Sequence, residues 1–299
     1  MGEAMISETL VVALLRAQFP AWAALPVRPL ELDGSDNRTF RLGEEMSVRL
    51  PSADAYTAQV YKEHRWLPVL AAELALPIPE LLALGEPSAL FARPWSVRRW
   101  LPGDPVTEER VEDFPRLARD LARFLVELQS VQADGGPLPG RDNFFRGGPL
   151  TVYEAEARDA IARLASSIDV GRAKRTLDAA VDAGWGRPPV WLHGDMTPSN
   201  LLAVNGALSG VIDFGCCAVG DPACDLVIAW TTFTGKSREA FRSETGLDEG
   251  TWARARAWAL WKALVTLVRG STYAEDARTR FGWPRSAADV VDQVLSDGA

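Results

Sequence analysis

The stretch from His193 to Asp225, HGDMTPSNLLAVNGALSGVIDFGCCAVGDPACD, constrains the fold of this 299-residue chain more than any other. Two apolar-rich runs within it, Leu201 to Val204 and Ala207 to Asp213, are separated by Asn205-Gly206. This dipeptide readily takes the positive φ angles of a type I′ turn. The two runs are therefore predicted to form a β-hairpin.

Counting outward from the turn predicts the register of this hairpin. The predicted pairs are Val204 with Ala207, Leu202 with Ser209, and Asn200 with Val211. Asn200 and Asp213 then emerge near the same open end, where an amide oxygen and a carboxylate converge. Hard oxygen ligands of this kind suit Mg²⁺, which takes only a few ligands from the protein and keeps several waters.

Asp195 lies just upstream, on the loop that enters the hairpin. A carboxylate there can accept the proton of an attacking hydroxyl while the metal neutralises charge on a transferred group. The alternative is that these Asp and Asn residues only serve turns, which both residue types favour. Three motifs in order around one hairpin favour the catalytic interpretation.

The order of these residues resembles the catalytic loop and metal-binding triplet of the kinase fold. It runs His193-Gly194-Asp195, four residues, Asn200, then Asp213-Phe214-Gly215. Gly194 stands where protein kinases carry Arg, and a GDPACD run ends at Asp225. With these two features the chain resembles the aminoglycoside phosphotransferase (APH) family of kinase-like small-molecule phosphotransferases.

The resemblance implies a protein-kinase-like α+β fold of two lobes. A small β-rich N-lobe would span residues 1–100, and a larger, mainly α-helical C-lobe would span 101–299. The implied co-substrate is ATP or GTP, and Mg²⁺ is the implied cofactor. The implied roles are catalytic base for Asp195, Mg²⁺ ligands for Asn200 and Asp213, and bracing of the catalytic loop for His193 and Asp225.

A kinase-like N-lobe needs a loop that covers the phosphates. The segment from Leu30 to Leu42 reads as strand, polar turn and strand, so backbone N–H groups from Gly34 and Ser35 to Asn37 can cover a triphosphate. The segment contains a single glycine. An ordinary hairpin loop explains the same residues equally well.

The N-lobe also needs a cation on a strand and a carboxylate that orients it. Arg49, in the predicted strand Ser47 to Leu50, occupies the place where the family carries Lys. Arginine can contact phosphate oxygens, although its planar fork is not equivalent to an ammonium group. Glu63, on a helix predicted from Asp54 to Leu74, is expected to pair with Arg49; the alternative is a solvated helix face.

The strand around Trp95 to Gly103 should connect the two lobes. The resemblance places the nucleotide base against the backbone of Arg99, Trp100 and Leu101. Trp95 and Trp100 can stack on a base, but alternating aromatic residues in a strand are more often part of the core.

Helical periodicity predicts three helices in the C-lobe, over Phe114–Val131, Tyr153–Leu164 and Thr251–Arg269. Trp258 and Trp261 lie on the last of these; packing is the favoured interpretation, and the alternative is that one or both line an acceptor pocket. The polar, glycine-containing segment Arg141 to Gly148 is either a substrate-facing loop or a plain surface connection.

Composition limits the remaining possibilities. The net charge of −8 argues against nucleic-acid binding. The N-terminus lacks a basic region followed by a long apolar run, so neither a secretory signal nor a membrane span is predicted, and a cytoplasmic location is expected. Three crowded cysteines lack paired spacing and are expected to be free thiols. They are Cys216, Cys217 and Cys224.

Three functions remain open at this point. The first is a kinase that phosphorylates a hydroxyl of an antibiotic such as an aminoglycoside or macrolide, which would make the protein a resistance enzyme. The second keeps the chemistry but takes a metabolite such as a sugar, an amino alcohol or homoserine. The third is a nucleotide-binding protein without catalysis. A net negative charge favours a cationic acceptor, which acidic residues of the larger lobe can attract; the favoured interpretation of each one singly is a solvated surface charge. These residues include Asp248, Glu249, Glu275, Asp276, Asp289 and Asp292.

Overall fold

The computed structural model describes residues 6–30, 36–270 and 282–297, and they form two compact units. One unit comprises Met1–Glu73 with Pro77–Pro102, and the other comprises Leu74–Leu76 with Gly103–Ala299. In the described residues the first unit is rich in strands and the second is mainly helical. The predicted α+β fold class is therefore confirmed.

The N-terminal unit is built on a five-stranded antiparallel sheet of order β1-β2-β3-β5-β4. Its strands are β1 (Val27–Pro29), β2 (Asn37–Leu42), β3 (Met46–Pro51), β4 (Leu81–Gly85) and β5 (Trp95–Arg99). Its helices are α1 (Glu8–Gln18) and α2 (Thr57–Ala71), the latter preceded by a 3₁₀ turn over Asp54–Tyr56. Trp95 is fully buried in the core of this unit, as predicted.

The C-terminal unit surrounds a long, deeply buried helix, α8 (Glu249–Val268), which contacts the helices α4, α5 and α9. Apolar side chains cover most of its circumference, as expected of a helix in the centre of a unit. The other helices are α3 (Phe114–Ser130), α4 (Glu154–Arg163), α5 (Val170–Ala183), α6 (Ile228–Thr231), α7 (Gly235–Thr245) and α9 (Ala287–Ser296). The three helices predicted here are confirmed to within a few residues at each end.

Short strands position the segment from His193 to Asp225 within this unit. A three-stranded sheet has the order β6-β8-β9, and β7 pairs with β10. The strands are β6 (Asp104–Pro105), β7 (Val190–Leu192), β8 (Leu201–Val204), β9 (Ala207–Val211) and β10 (Ala218–Gly220). Among the described residues, no helix is both long and apolar enough to cross a membrane.

The predicted hairpin forms, but its register was predicted wrongly beyond the turn. Asn205 and Gly206 both have positive φ, and Val204 pairs with Ala207 as expected. A β-bulge follows, so that Leu202 lies opposite Gly210 instead of Ser209. The extra residue on β9 shifts the ladder by one position. Consequently Asn200 accepts a hydrogen bond from the Ile212 N–H at 2.9 Å instead of pairing with Val211.

Candidate active site

The catalytic loop leaves β7 at His193 and is held by one buried carboxylate. The two oxygens of Asp225 accept hydrogen bonds from the backbone N–H groups of His193 and Gly194, each at 2.7 Å. Asp225 is fully buried, and loss of hydration raises the pKa of its carboxyl above the ordinary value. It occupies the 3₁₀ turn Pro222–Val227, so the GDPACD run fixes the course of the catalytic loop.

The His193 side chain links this loop to the end of the hairpin. Its Nδ1 accepts from the backbone N–H of Asp195 at 3.2 Å, and its Nε2 lies 2.9 Å from the carbonyl oxygen of Ile212. Both contacts are satisfied when the imidazole is neutral with the proton on Nε2, a tautomer inferred from these hydrogen bonds. The ring packs edge-on against Phe214. The His193 side chain therefore connects the loop to the end of the hairpin.

Gly194 supplies a backbone conformation that other residues rarely adopt. Its φ is +85°, and a Cβ at this position would lie 2.4 Å from the carbonyl oxygen of Cys216. The glycine lets two segments pack backbone against backbone, between the loop and the residues that follow Asp213. The three neighbouring cysteines are buried thiols and not disulfide-bonded, as predicted.

Asp195 and Asn200 meet directly. The Asn200 side-chain N–H₂ donates to the Asp195 carbonyl oxygen at 2.8 Å and contacts the Asp195 carboxylate oxygen Oδ2 at 3.4 Å. Lys262 on α8 places its Nζ 3.9 Å from Oδ1 of the same carboxylate. The Asp195 side chain is 28% exposed, so the carboxylate remains accessible to a substrate.

Asn200 and Asp213 bring oxygen atoms of the type that Mg²⁺ binds to one end of the hairpin. Because the Asn200 amide nitrogen is committed to Asp195, its oxygen is left as the ligand atom. The Ile212–Asn200 backbone bond puts Asp213 at the same end of the hairpin, where it has a left-handed φ of 66°. In the described residues no three His, Cys, Asp or Glu side chains form a metal cluster. One amide oxygen and one carboxylate suit Mg²⁺, which needs few protein ligands.

A pocket opens beside Asp195, and its lining includes Trp258 and Trp261, in agreement with the alternative considered for them, together with residues that the sequence did not identify, above all Lys262 and Trp283. Arg146 and Lys262 contribute cations to it. Its apolar wall consists of Met196, Val227, Trp258, Trp261 and Trp283. The segment Arg141 to Gly148 therefore contributes to the site through Arg146, one of the two interpretations considered for it. Lys262 follows Trp258 by four residues on α8, a spacing that places both on one helix face and was the available sequence signal.

The N-terminal unit contains the predicted ion pair, but it has a third member. Arg49 Nη1 lies 3.4 Å from Glu63 Oε1, while Arg98 binds both oxygens of Glu63 at 3.2 and 2.6 Å. All three side chains are buried. With the Asn37 amide oriented to satisfy both partners, its oxygen accepts from Arg49 Nε and Nη2 at 3.2 and 2.9 Å. Arg98 lies two residues after Ser96 in β5, so both side chains point to the same face of the sheet. Two polar residues at this spacing in a buried strand are the sequence signal that could have identified Arg98 as a partner of Glu63.

The remaining candidates for the nucleotide site are the backbone of Arg99 to Leu101 and the loop with Gly34 and Ser35. The N–H groups of Arg99 and Trp100 donate to the carbonyl oxygens of Glu80 and Glu45 at 2.9 and 2.7 Å. They are thus already engaged within the N-terminal unit, which leaves Leu101 as the next candidate donor. The Trp100 ring lies under the Arg41 guanidinium at 3.8 Å. Gly34 and Ser35 lie outside the described residues.

Two of the acidic residues considered as attractors of a cationic acceptor have local roles in the structure. Asp248 caps α8 by accepting from the Thr251 N–H at 2.8 Å, and Asp289 accepts from the hydroxyl of Ser286 at the start of α9. Glu275 and Asp276 lie outside the described residues. Helix capping therefore explains two members of the set.

Comparison with known proteins identifies what the chain resembles. A model of the phosphotransferase enzyme family, APH, matches residues 27–258. A homoserine kinase of Gluconobacter oxydans (strain 621H) is 26% identical over 206 residues, which cover 68% of this chain and 64% of that protein. A homoserine kinase of Methylocella silvestris is 29% identical over 194 residues, covering 61% of this chain and 56% of that protein. The chain thus spans less than two thirds of the length of these curated relatives.

Solved structures resemble the whole chain. The GDP complex of wild-type aminoglycoside 2′-phosphotransferase-IIIa superposes with a TM-score of 0.74 at 18% identity, over 98% of this chain and 100% of that one. A macrolide 2′-phosphotransferase type I superposes with a TM-score of 0.60 at 18% identity, over 98% of both chains. At this level of identity the likeness confirms the predicted kinase-like fold.

Proposed function

Because the chain belongs to the APH phosphotransferase enzyme family, we propose that it transfers the γ-phosphoryl group of ATP or GTP to a hydroxyl group of a small molecule. The observation that carries this proposal is the contact of Asp195 with Asn200 at the hairpin end that also holds Asp213. An accessible carboxylate next to a pocket and two oxygen ligands matches the needs of phosphoryl transfer.

The residues have the following roles in this proposal. The substrate hydroxyl oxygen forms a bond to the γ-phosphorus while the bond from that phosphorus to the β,γ-bridging oxygen breaks, releasing the nucleoside diphosphate. The hydroxyl proton passes to the Asp195 carboxylate. Asn200 and Asp213 would hold Mg²⁺, which supplies positive charge for the transferred group when it is bound. Arg49, oriented by Glu63, would contact the nucleotide phosphates.

The braces around Asp195 support catalysis by limiting its motion. Asp225 fixes the backbone on one side of the loop, and His193 joins the loop to the hairpin. A base held in this way needs little rearrangement when the hydroxyl arrives. This support is independent of which acceptor binds.

Two acceptor classes are the first to test. The homoserine kinases that match the sequence favour a hydroxylated amino acid, and the structural neighbours include aminoglycoside and macrolide phosphotransferases. Phosphoryl transfer from ATP and from GTP with Mg²⁺ should be scored by product mass across L-homoserine, kanamycin, a macrolide and simple sugars. A product from any of these alcohols would establish the activity.

The base is tested by Asp195→Asn, which keeps the shape of the side chain and removes its proton acceptance. Turnover should fall by at least ~100-fold, with nucleotide affinity changing by less than about twofold. Asp159→Asn, the same change at an exposed position on α4, is the matched control. Unchanged turnover in Asp195→Asn would remove Asp195 from the role of base.

A further inference from the structure

The segment that carries Arg146 adopts an uncommon backbone. Phe144 and Phe145 both have positive φ, 52° and 54°, although neither is glycine. Two such residues in succession are costly and persist only where the surrounding structure demands them. The Asp221 N–H donates to the Gly147 carbonyl oxygen at 2.8 Å, which holds the end of this segment against the GDPACD run. The backbone is thereby held so that Arg146, the next residue, is buried.

Arg146 is a buried cation whose hydrogen-bond donors are not all paired among the residues that the structure describes. Its Nε donates to the Gly194 carbonyl oxygen at 2.9 Å, and its guanidinium lies over the rings of Trp258 and Trp261 at 5.3 and 5.5 Å. Only 9% of the residue is exposed. Its Nη1 has no hydrogen-bond partner within the described part of the chain. A buried charged donor without an acceptor is costly, so a ligand atom is the natural partner.

The charged residues that line the pocket indicate the sign of the charge on that ligand. Arg146 and Lys262 line it, and Asp195 is the one carboxylate among the lining residues that the structure describes. Glu156 lies nearby but accepts from the Trp261 Nε1 at 2.8 Å and is not part of the lining. Two cations beside the catalytic carboxylate disfavour a polycationic acceptor and favour an anionic one.

The remaining lining defines the rest of the ligand. The indole rings of Trp258 and Trp261 form an apolar wall on α8, and Tyr153 stacks on Trp261 with ring centroids 4.1 Å apart, which restrains that ring. A hydrocarbon segment can lie against this wall. A carboxylate offers an acceptor oxygen to Arg146 and a second one to Lys262, while a hydroxyl at the other end approaches Asp195.

We propose that the acceptor is a hydroxylated carboxylic acid, whose carboxylate is bound by Arg146 with Lys262 as the second cation. Its hydrocarbon part lies against Trp258 and Trp261, and its hydroxyl is the group that is phosphorylated. The identity of the transferred group rests on the proposed function, whereas the binding of a carboxylate rests on the pocket alone. Arg146 therefore determines specificity and does not take part in the proton transfer.

The test compares acids with matching neutral amides on the full-length protein. Binding of L-homoserine and 4-hydroxybutyrate, and of the amide of each, is measured by calorimetry, and phosphorylation of each by mass with MgATP and MgGTP. At least one acid should bind about tenfold or more tightly than its amide, because only the carboxylate pairs with the guanidinium. Kanamycin serves as the polycationic comparison.

Variants assign the effect to the pocket. Arg146→Gln should weaken binding of the acid by about tenfold and leave the amide within about twofold. Arg163→Gln, which removes the same charge from an exposed site on α4, should change neither. If Arg146→Gln does not fold, Lys262→Gln provides a second test, and the comparison of acid with amide on the unaltered protein needs no variant.

The outcomes separate this proposal from the proposed function. Acids that bind through Arg146 but are not phosphorylated would support the carboxylate site and contradict the kinase assignment. Phosphorylation of amides or kanamycin as efficiently as acids would overturn the carboxylate site and leave the kinase standing. Absence of binding by every acid up to about 10 mM, weaker than any useful affinity for such a site, would also overturn it.

Discussion

At the residue scale, the site depends on side chains that each satisfy two demands. The neutral imidazole of His193 accepts from one backbone N–H and donates to one backbone carbonyl, so it joins two segments of chain. The two carboxylate oxygens of Asp225 each accept a hydrogen bond from a backbone N–H of the loop, so this side chain also joins two segments of chain. Gly194 contributes by having no side chain, because its neighbour Cys216 approaches so closely.

Gly194→Ala tests the close approach. The added Cβ would lie 2.4 Å from the Cys216 carbonyl oxygen, and the φ of +85° is unfavourable for alanine. The free energy of unfolding should fall by at least about 2 kcal/mol, and turnover should fall because the catalytic loop must shift. Chemical denaturation and steady-state kinetics measure the two effects.

Gly186→Ala is the control for that substitution. An added Cβ there meets nothing within 4 Å, and its φ is not in the left-handed region. It should leave both stability and turnover close to those of the unaltered protein. Equal behaviour of the two variants would show that the loop tolerates a side chain at position 194.

At the element scale, strand β5 shows how adjacent side chains of one strand are divided between the buried face and the exposed face of a sheet. Arg98 and Arg99 are adjacent, but successive side chains of a strand point to opposite faces. Arg98 is buried and binds both oxygens of Glu63, whereas Arg99 is half exposed and pairs with Glu80 on the surface. The register of β3 with β5 places Arg98 opposite Ser47, two residues before Arg49.

Arg98→Met and Arg99→Met should therefore differ strongly. Within the described residues, the first leaves Glu63 buried with only the longer contact to Arg49, and it should lower the free energy of unfolding by about 3 kcal/mol. The second removes an exposed pair and should change stability little. Urea denaturation of both variants measures the difference, and a similar loss in each would contradict the assignment of Arg98 as the main partner of Glu63.

At the scale of the whole molecule, ligand binding should stabilise the folded chain. A ligand present at 100 times its dissociation constant adds about 2.7 kcal/mol to the free energy of unfolding. Under the proposed function, ATP or GTP should raise Tm in the presence of Mg²⁺ more than in its absence. The size of that difference in Tm measures how much the bound Mg²⁺ adds to nucleotide binding.

Asp213→Ala should abolish the Mg²⁺-dependent part of this rise in Tm, because a carboxylate ligand is removed while Asn200 remains. The measurement is a thermal melt with nucleotide, with and without a chelator. Asp142→Ala, the loss of a carboxylate from an exposed position, is the control. Full retention of the Mg²⁺ effect in Asp213→Ala would require a different set of metal ligands.

Much of the fold could be predicted because its signals are local. The Asn205-Gly206 turn, the spacing of apolar residues along α3 and α8, and the order of Asp195, Asn200 and Asp213 each depend on nearby residues. The bulge in the hairpin was not predicted, although Gly210 inside β9 is the kind of residue that often marks one. Its effect is to change the partner of Asn200 from Val211 to Ile212.

The sequence by itself determined the family, the kinase-like fold and the residues proposed to act as base and metal ligands. The tertiary structure alone decided that Arg146 contacts Gly194, 48 residues away, and that Arg98 binds Glu63, 35 residues away. Motif order and hydrophobic periodicity involve residues that are close together in the chain, so both can be read from the sequence. Contacts between distant side chains depend on how helices and strands pack, and the pocket beside Asp195, with its two cations, exists only after that packing is complete.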